Sequence, residues 1–507
     1  MAENKMGSLV KQTAIYGLSS IIGRFLNYLM VPLYTYHMAA SSGGYGVVTN
    51  IYSYVAFLMV LLTFGMETTF FRFANKQGVD ADRAFSTSVK SVGLVALLFI
   101  AIVSVFLSPI SSALKYKVHP EYVEIMSIVV AIDAFQSILF ARLRYENRAI
   151  KFMVLKLLFI FLSVGLNLFV FLLAPKLQTL LPRIMRWYHA ENQVRYIFVI
   201  NLICTTVINL GFIPELKKIR RGFDLALLRQ MLDYTWPLLL LGLAGILNQV
   251  ADKILYTLIV PGLEGTVQLG IYGACTKIAM IMALITQAFR YAYEPFVFGE
   301  DRKEAENPNN PHGRVIQGKV MKYFVLFTLF AFVAVMMYLD VLKYLIKSDY
   351  WEGLKVVPIV MMAEIFMGIY FNLSFWYKLT DKTWWGAVLS AIGCVVLIAI
   401  NLAFVPKYGY MACAWGGFAG YGICMLLSYF IGQRNYKVPY DLKSALGYFV
   451  LSIAIVAVSR LVKSQYLALT LVINTVLLLV FAAAVAYFER EMVKAVQQSV
   501  RKILKRK

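Results

Sequence analysis

An all-α polytopic membrane protein is the fold class this sequence predicts, and three observations predict it. Fourteen apolar runs, each long enough to cross a bilayer, occupy most of the 507 residues. A hydrocarbon slab about 30 Å thick takes roughly 20 helical residues per crossing. Hydrophobic residues make up 60% of the chain and charged residues 15%, where a soluble domain carries about a quarter charged; mean hydropathy is +0.70. The runs are continuous rather than alternating, which excludes barrel strands. An open chain in lipid satisfies its backbone polar groups only as helix.

Taken in order, the first span (12–37) is too long for a cleavable signal peptide and carries Arg24, so it acts as an uncleaved insertion signal. Pro32 permits it to bend, and Tyr16, Tyr28, Tyr34 and Tyr36 suit anchoring and packing or stacking on sugars. Span two (46–70) opens on Tyr45-Gly46 and closes on Glu67, with Arg72 just beyond. Spans three (89–111), four (122–142, with Asp133 near its middle), five (152–173) and six (195–214) follow. Span seven (234–260) opens on Pro237 and holds the adjacent Asp252 and Lys253; span eight (267–293) holds Tyr272-Gly273 and Lys277 and ends on Arg290 and Glu294. The polar, Pro- and Asn-rich stretch from Arg290 to Lys319 reads as a flexible linker. Spans nine (318–341), ten (354–377, with Pro358 and Glu364), eleven (384–405) and twelve (409–431) complete the main body, and Gly416 with Gly420 forms a small-xxx-small packing pair. Spans thirteen (444–460) and fourteen (466–488) share a very short connector.

The formal net charge is +22. Lys and Arg gather in the tails and the even-numbered loops, which places these and both termini in the cytoplasm. One loop is discordant: Lys176, Arg183, Arg186 and Arg195 follow span five on the outer side, where residues 175–195 read as a short amphipathic surface stretch. The cations are spread over short loops without interleaved aromatics, so the partner they predict is anionic lipid and not nucleic acid. The basic tail Arg501, Lys502, Lys505, Arg506 and Lys507 hugs the inner leaflet. All five cysteines (Cys204, Cys275, Cys394, Cys413, Cys424) fall within spans and lack ligand spacing, so neither disulfides nor a metal site is expected. There is no P-loop and no nucleophile–base constellation. The expected class is a transporter, not an enzyme, without a cofactor; an integral-membrane glycosyltransferase or polymerase would show a large extramembrane loop.

The chain also repeats itself. Tyr45-Gly46 and Glu67 recur as Tyr272-Gly273 and Glu294, 227 residues on (272 − 45). At that offset Arg24 falls beside Asp252, and Asp133 falls one turn from Glu364. The expectation is an N-terminal six-helix lobe (1–222), a C-terminal six-helix lobe (223–432) and an appendix of two helices with a basic tail (433–507). Parallel six-span lobes enclose a cavity that opens alternately to either side.

A charge at mid-membrane costs about 3 kcal/mol by insertion scales, so such residues face protein, water or ligand. Arg24 lies about 18 Å into span one, and Lys277 is about as deep in span eight; each either meets an anionic ligand or bridges to an acid. Asp133, Glu364 and Asp252 are candidates for binding a coupling ion, proton or sodium, or are structural hydrogen-bond partners. Asp252 and Lys253 project about 100° apart and are expected not to pair, one of them reaching across the cavity or outward. Glu67 with Arg72, and Glu294 with Arg290, form either interfacial pairs or a cytoplasmic gate.

Several segments resemble a known family. Gly65, Met66, Glu67, Thr68, Thr69, Phe70, Phe71, Arg72 and Phe73 resemble the end of span two in bacterial polysaccharide-biosynthesis flippases. Leu247, Asn248, Gln249, Asp252 and Lys253 resemble their span seven, and Gly270, Ile271, Tyr272 and Gly273 with Gln287, Ala288, Phe289, Arg290, Tyr291, Ala292, Glu294 and Pro295 their span eight. Asn372, Leu373, Ser374, Trp376, Tyr377, Lys378, Leu379 and Thr380 resemble the end of span ten. The resemblance covers about residues 8–432. It implies a two-lobed, fourteen-span member of the multidrug/oligosaccharidyl-lipid/polysaccharide exporter superfamily, in a bacterial inner membrane. Its substrate would be a polyprenyl-pyrophosphate-linked oligosaccharide for O-antigen, capsule or exopolysaccharide. Arg24 and Lys277, with Lys253, would hold the pyrophosphate. Membrane lipids, a glycan polymerase, glycosyltransferases and a proton or sodium counter-ion would be the partners. Lipid II flippase and multidrug cation antiporter are rival readings within the same superfamily, although an antiporter calls for an acid-dominated cavity. A structural scaffold for glycan synthesis would leave the duplicated charges unexplained.

Overall fold

A computed structural model describes residues 28–219, 223–306, 312–462 and 464–490. Among the described residues there is no strand, and 13 helices are long and apolar enough to cross a membrane. The chain is an all-α polytopic membrane protein. Most of the first expected span, Arg24 included, lies outside the described residues; its described part, 28–37, is helical and is α1.

Helices α2 (Gly44–Thr63) and α3 (Met66–Ala74) form span two, broken where Phe64 and Gly65 take positive φ values of 36° and 73°. Then come α4 (Ala81–Val105), α5 (Leu107–Ala113), α6 (Pro120–Tyr145) and α7 (Ala149–Leu168). A π-helical turn, Phe169–Leu173, joins α7 to α8 (Ala174–Leu180). Pro175 accounts for that turn: it lacks an N–H and its ring crowds the carbonyl one turn earlier, so the hydrogen-bond ladder widens just before it. Helices α9 (Gln193–Leu210) and α10 (Ile213–Leu216) precede α11 (Leu225–Ile259). Asp224 caps α11 by accepting from the Leu227 N–H at 2.9 Å. Pro237 lies inside α11, not at its opening as expected, because the polar stretch from Leu225 is helical as well.

Helix α12 (Leu263–Glu306) runs far past its apolar part, and α13 (His312–Met337) follows. The expected flexible linker 290–319 is therefore mostly helix, since Glu300–Glu306 is built of good helix formers that need no apolar face to stay helical. Residues 307–311 lie outside the described residues. The remaining helices are α14 (Leu339–Leu342), α15 (Val357–Leu373), α16 (Phe375–Leu379), α17 (Trp384–Tyr408), α18 (Tyr410–Asn435), α19 (Leu442–Leu461) and α20 (Leu467–Phe488).

By packing, the chain divides into two units. The first comprises Met1–Lys277, Asp349–Val356 and Trp384–Gly420; the second comprises Ile278–Ser348, Val357–Thr383 and Tyr421–Lys507. These units group the helices differently from the six-plus-six division read from the repeat.

In the first unit a buried core sits at the Glu67 end of span two. Met66 and Phe70 of α3 meet Phe85 of α4, Ile138, Leu139 and Leu143 of α6, Phe212 just before α10, and Met231 of α11. Lipid tails are as apolar as these side chains, so the gain lies in close packing rather than in escape from water. Close approach also joins α17 to α18: a Cβ on Gly420 would stand 2.9 Å from the Gly393 carbonyl oxygen, and one on Gly416 would stand 2.9 Å from Asn401 Oδ1.

In the second unit the C-terminal pair α19 and α20 is tied to α13 at both ends. Asn474 donates to the Met337 carbonyl at 2.7 Å and accepts from Ser459 at 2.7 Å, while Tyr338 and Thr475 share a hydroxyl bond of 2.8 Å. At the other end Lys322 pairs with Asp441 (2.9 Å) and Glu489 (2.5 Å). Asp441 caps α19, and its carboxyl is lowered to about 2 by its hydrogen bonds to Ser444 and by Lys322. A depressed folded value contributes stability that is complete above the unfolded value of about 3.8 and is lost as pH falls toward 2. Thermal stability in detergent is expected to fall between pH 4 and 2, and Asp441→Asn to flatten that dependence.

Candidate functional site

In the first unit, the Tyr45 end of α2 seals against α11 and α12. A Cβ built on Gly46 would collide with the Thr266 carbonyl and stand 2.9 Å from the Gly270 nitrogen. Only glycine permits that approach. One turn on, Asn50 is fully buried and fully used. Its amide nitrogen donates to the Lys253 carbonyl (2.8 Å) and the Thr257 hydroxyl (2.9 Å) of α11, and its oxygen accepts from the Tyr116 hydroxyl (2.7 Å). Tyr350 adds a bond to the Met38 carbonyl at 2.9 Å. The seam joins repeat-related helices: α2 carries Tyr45-Gly46, and α12 carries Tyr272-Gly273.

Asp252 and Lys253 lie against this seam. They pair, with Lys253 Nζ 3.0 Å from Asp252 Oδ1, which corrects the expectation that adjacent positions project too far apart. The long lysine stem curls back along its helix, far enough for Nζ to donate to the Gln249 carbonyl at 3.0 Å as well. The Tyr272 hydroxyl donates to the other Asp252 oxygen at 2.8 Å. Buried Asp252 is thus neutralised within the protein.

Lys277 differs. It lies about 21 Å along α12 at 1.5 Å per residue, is half-buried, and has no ion pair or hydrogen bond among the described residues. A mid-membrane cation without an acid is a site that an anion would occupy favourably.

A second polar group lies deeper in the unit. Asp133 accepts from the Thr205 hydroxyl at 3.1 Å, and Gln136 donates to the Thr205 carbonyl at 2.7 Å. Lys156 of α7 holds its ammonium 4.0 Å from the Phe140 ring centroid. Sequence reasoning missed Lys156 by counting it with the neighbouring loop charges, although it lies four residues inside the expected span (152–173); in the structure it stands on α7, which begins at Ala149.

At the Glu67 end the expected pairs are replaced by longer-range ones. Glu67 pairs with Arg144 of α6, and Arg72 stacks on Tyr234 at 4.0 Å. In the second unit Glu294 pairs with Lys378 at 2.9 Å, and Arg290 stacks on Phe371 at 4.0 Å. Glu67–Arg72 and Glu294–Arg290 are therefore not ion pairs: each acid is taken by a cation of a neighbouring helix and each arginine lies over an aromatic ring. The same exchange, span two to span four and span eight to span ten, occurs once in each unit. Glu364 is half-buried on α15 in the second unit. The first unit adds a denser network that sequence did not reveal. Arg142 reaches Asp82 (2.5 Å) and Glu146 (2.8 Å), and fully buried Glu215 takes Arg148 and Lys151, both at 2.6 Å. Burial alone would raise Glu146, but hydrogen bonds from Lys218 and Arg142 outweigh it and hold its carboxyl below the usual range.

The sequence model of a family described as polysaccharide biosynthesis protein matches residues 9–291. No curated protein matches the chain in sequence. Among solved structures the chain is similar to the lipid II flippase MurJ in an inward closed conformation, with a TM-score of 0.69, 15% identity, 96% of this chain and 100% of that chain covered. It is also similar to an inward-facing multidrug resistance MATE family transporter of the MOP superfamily (TM-score 0.60, 13% identity, 81% and 93% covered). A third is a MATE protein in the straight conformation (TM-score 0.55, 13% identity, 84% and 95% covered). At these identities the likeness shows the fold alone.

Proposed function

Because the chain belongs to the polysaccharide biosynthesis protein family, we propose that it is a flippase that turns polyprenyl-pyrophosphate-linked oligosaccharide from the cytoplasmic to the periplasmic leaflet of a bacterial inner membrane. The observation that carries this reading is Lys277, a deep cation with no acid among the described residues to neutralise it. A diphosphate and many sugar hydroxyls cannot cross hydrocarbon unaided, and charge-assisted hydrogen bonds from a few cations replace the water they leave. Lys277 and Arg24 would hold the pyrophosphate; Lys253, already paired, would join only on release from Asp252. In this reading residues 1–222 and 223–432 are the moving lobes, both termini are cytoplasmic, and the Tyr45-end seam is the closed outer side of an alternating-access cycle. Glu67, Arg72, Arg290 and Glu294 would act at the cytoplasmic gate through their observed partners. Asp133, Glu364 and Asp252 are the candidates for a coupling proton or sodium. Glycan polymerase and glycosyltransferases would be its partners in assembly.

The test is transport in reconstituted vesicles. Labelled polyprenyl-pyrophosphoryl oligosaccharide is expected to cross faster than lipid II and faster than a cationic dye, with a rate that responds to an imposed proton or sodium gradient and loses that response in Asp133→Asn or Glu364→Gln. Preference for lipid II would transfer the reading to that substrate; export of the dye alone would reject it.

A further inference from the structure

The discordant cations after span five sit on a built surface. Residues Ala149–Leu180 form a continuous 32-residue helical run, about 48 Å long at 1.5 Å per residue. That matches a bilayer with its headgroups, about 40–45 Å. With Lys151 tied to Glu215 at one surface, Leu180 emerges at the headgroup level of the other.

From there the chain folds into a fixed series of turns. The Ile184 and Met185 N–H groups both donate to the Leu181 carbonyl at 3.1 Å, and the Tyr188 N–H donates to the Met185 carbonyl at 3.0 Å. Met185 and Tyr188 turn inward and are buried. Gln178 donates to the Tyr188 carbonyl at 3.0 Å, Tyr188 stacks on Tyr196 with centroids 5.6 Å apart, and the Tyr196 hydroxyl donates to the Trp187 carbonyl at 3.0 Å. The opposite face is apolar and open: Leu180 is 73%, Ile184 69% and Trp187 46% exposed. Between these residues stand exposed Arg183 and Arg186, with no ion pair among the described residues.

We propose that residues 180–195 are an interfacial anchor whose partner is anionic phospholipid. Leu180, Leu181, Ile184 and Trp187 enter the acyl boundary, and Arg183 and Arg186 hold headgroup phosphates. Three observations select this occupant. The length of the preceding helix delivers the segment to headgroup depth. Its apolar face continues the exposed Leu168, Leu172 and Leu173 of the same helical run. Its alternation of exposed apolar residues, tryptophan and arginine complements a negative surface. The lipid phosphates also account for cations on the side where the charge rule disfavours them.

The test uses the full chain with a spin label at Ile184→Cys, the five native cysteines being buried. Labels at Leu172→Cys and Lys117→Cys serve as lipid and water references. In vesicles containing phosphatidylglycerol the Ile184 label is expected to be several-fold more accessible to oxygen than to a nickel chelate, as at 172. The Arg183→Gln/Arg186→Gln double variant, or phosphatidylcholine alone, is expected to reduce that ratio at least twofold. A label as open to nickel as that at 117 overturns the anchor. A deep label indifferent to both the arginines and lipid charge overturns the anionic partner.

Discussion

Replacing Lys277 by alanine is expected to cut surface-glycan export at least tenfold while leaving insertion and expression at wild-type level. A charge-assisted hydrogen bond contributes about 1.5–3 kcal/mol, and 1.4 kcal/mol is tenfold, so the loss falls between about 10- and 150-fold. The side chain has no acid among the described residues, and its removal orphans no partner there. The variant is therefore expected to be as stable as wild type, which separates a ligand-binding cation from a structural one. Lys277→Arg keeps the charge and is expected to retain most export. The readout is lipid-linked oligosaccharide accumulating in the cytoplasmic leaflet against glycan at the surface, with thermal stability measured in detergent. Wild-type export from a well-expressed Lys277→Ala strain would remove this residue from the site.

Gly46→Leu is expected to hold the Tyr45 end of α2 away from α12 and to stop turnover. A new side chain there meets the Thr266 carbonyl and the Gly270 nitrogen, which are backbone atoms of a helix and cannot swing aside. Overpacking of this kind costs about 1–3 kcal/mol, enough to shift a closed–open equilibrium by about 5- to 150-fold. Opening the seam also breaks the Asn50 bonds to Lys253, Thr257 and Tyr116. The measurement is labelling of Thr257→Cys, a buried position, by a membrane-impermeant maleimide. The rate is expected to rise at least fivefold with Gly46→Leu and less with Gly46→Ala. Unchanged labelling together with normal export would show that this contact does not gate the protein.

The helical membrane class and the order of the described spans were legible in the sequence because hydrocarbon imposes one rule on every segment: an apolar helix of fixed length. The recurring dipeptides Tyr45-Gly46 and Tyr272-Gly273 were legible as well, and their helices meet at one seam. Partners were not legible. Glu67 was expected beside Arg72 and bonds Arg144; Glu294 was expected beside Arg290 and bonds Lys378. Asp252 was expected to stand apart from Lys253 and holds it. Asn50 carries no charge and so left no signal in a scan for charges. Lys156 was lost because it was grouped with the arginines and lysine just before it, although it lies inside the expected span.

Chain-local physics thus decided that this protein lives in a membrane, and which charged side chains fall within apolar helices and need a reason. Which of those are already neutralised, as Asp252 and Lys253 are, and which wait for an anion, as Lys277 does, was decided by tertiary structure alone. The physical reason is distance: burial energy depends on a residue's own helix, but an ion pair or hydrogen bond depends on a few ångströms between helices that the sequence places far apart.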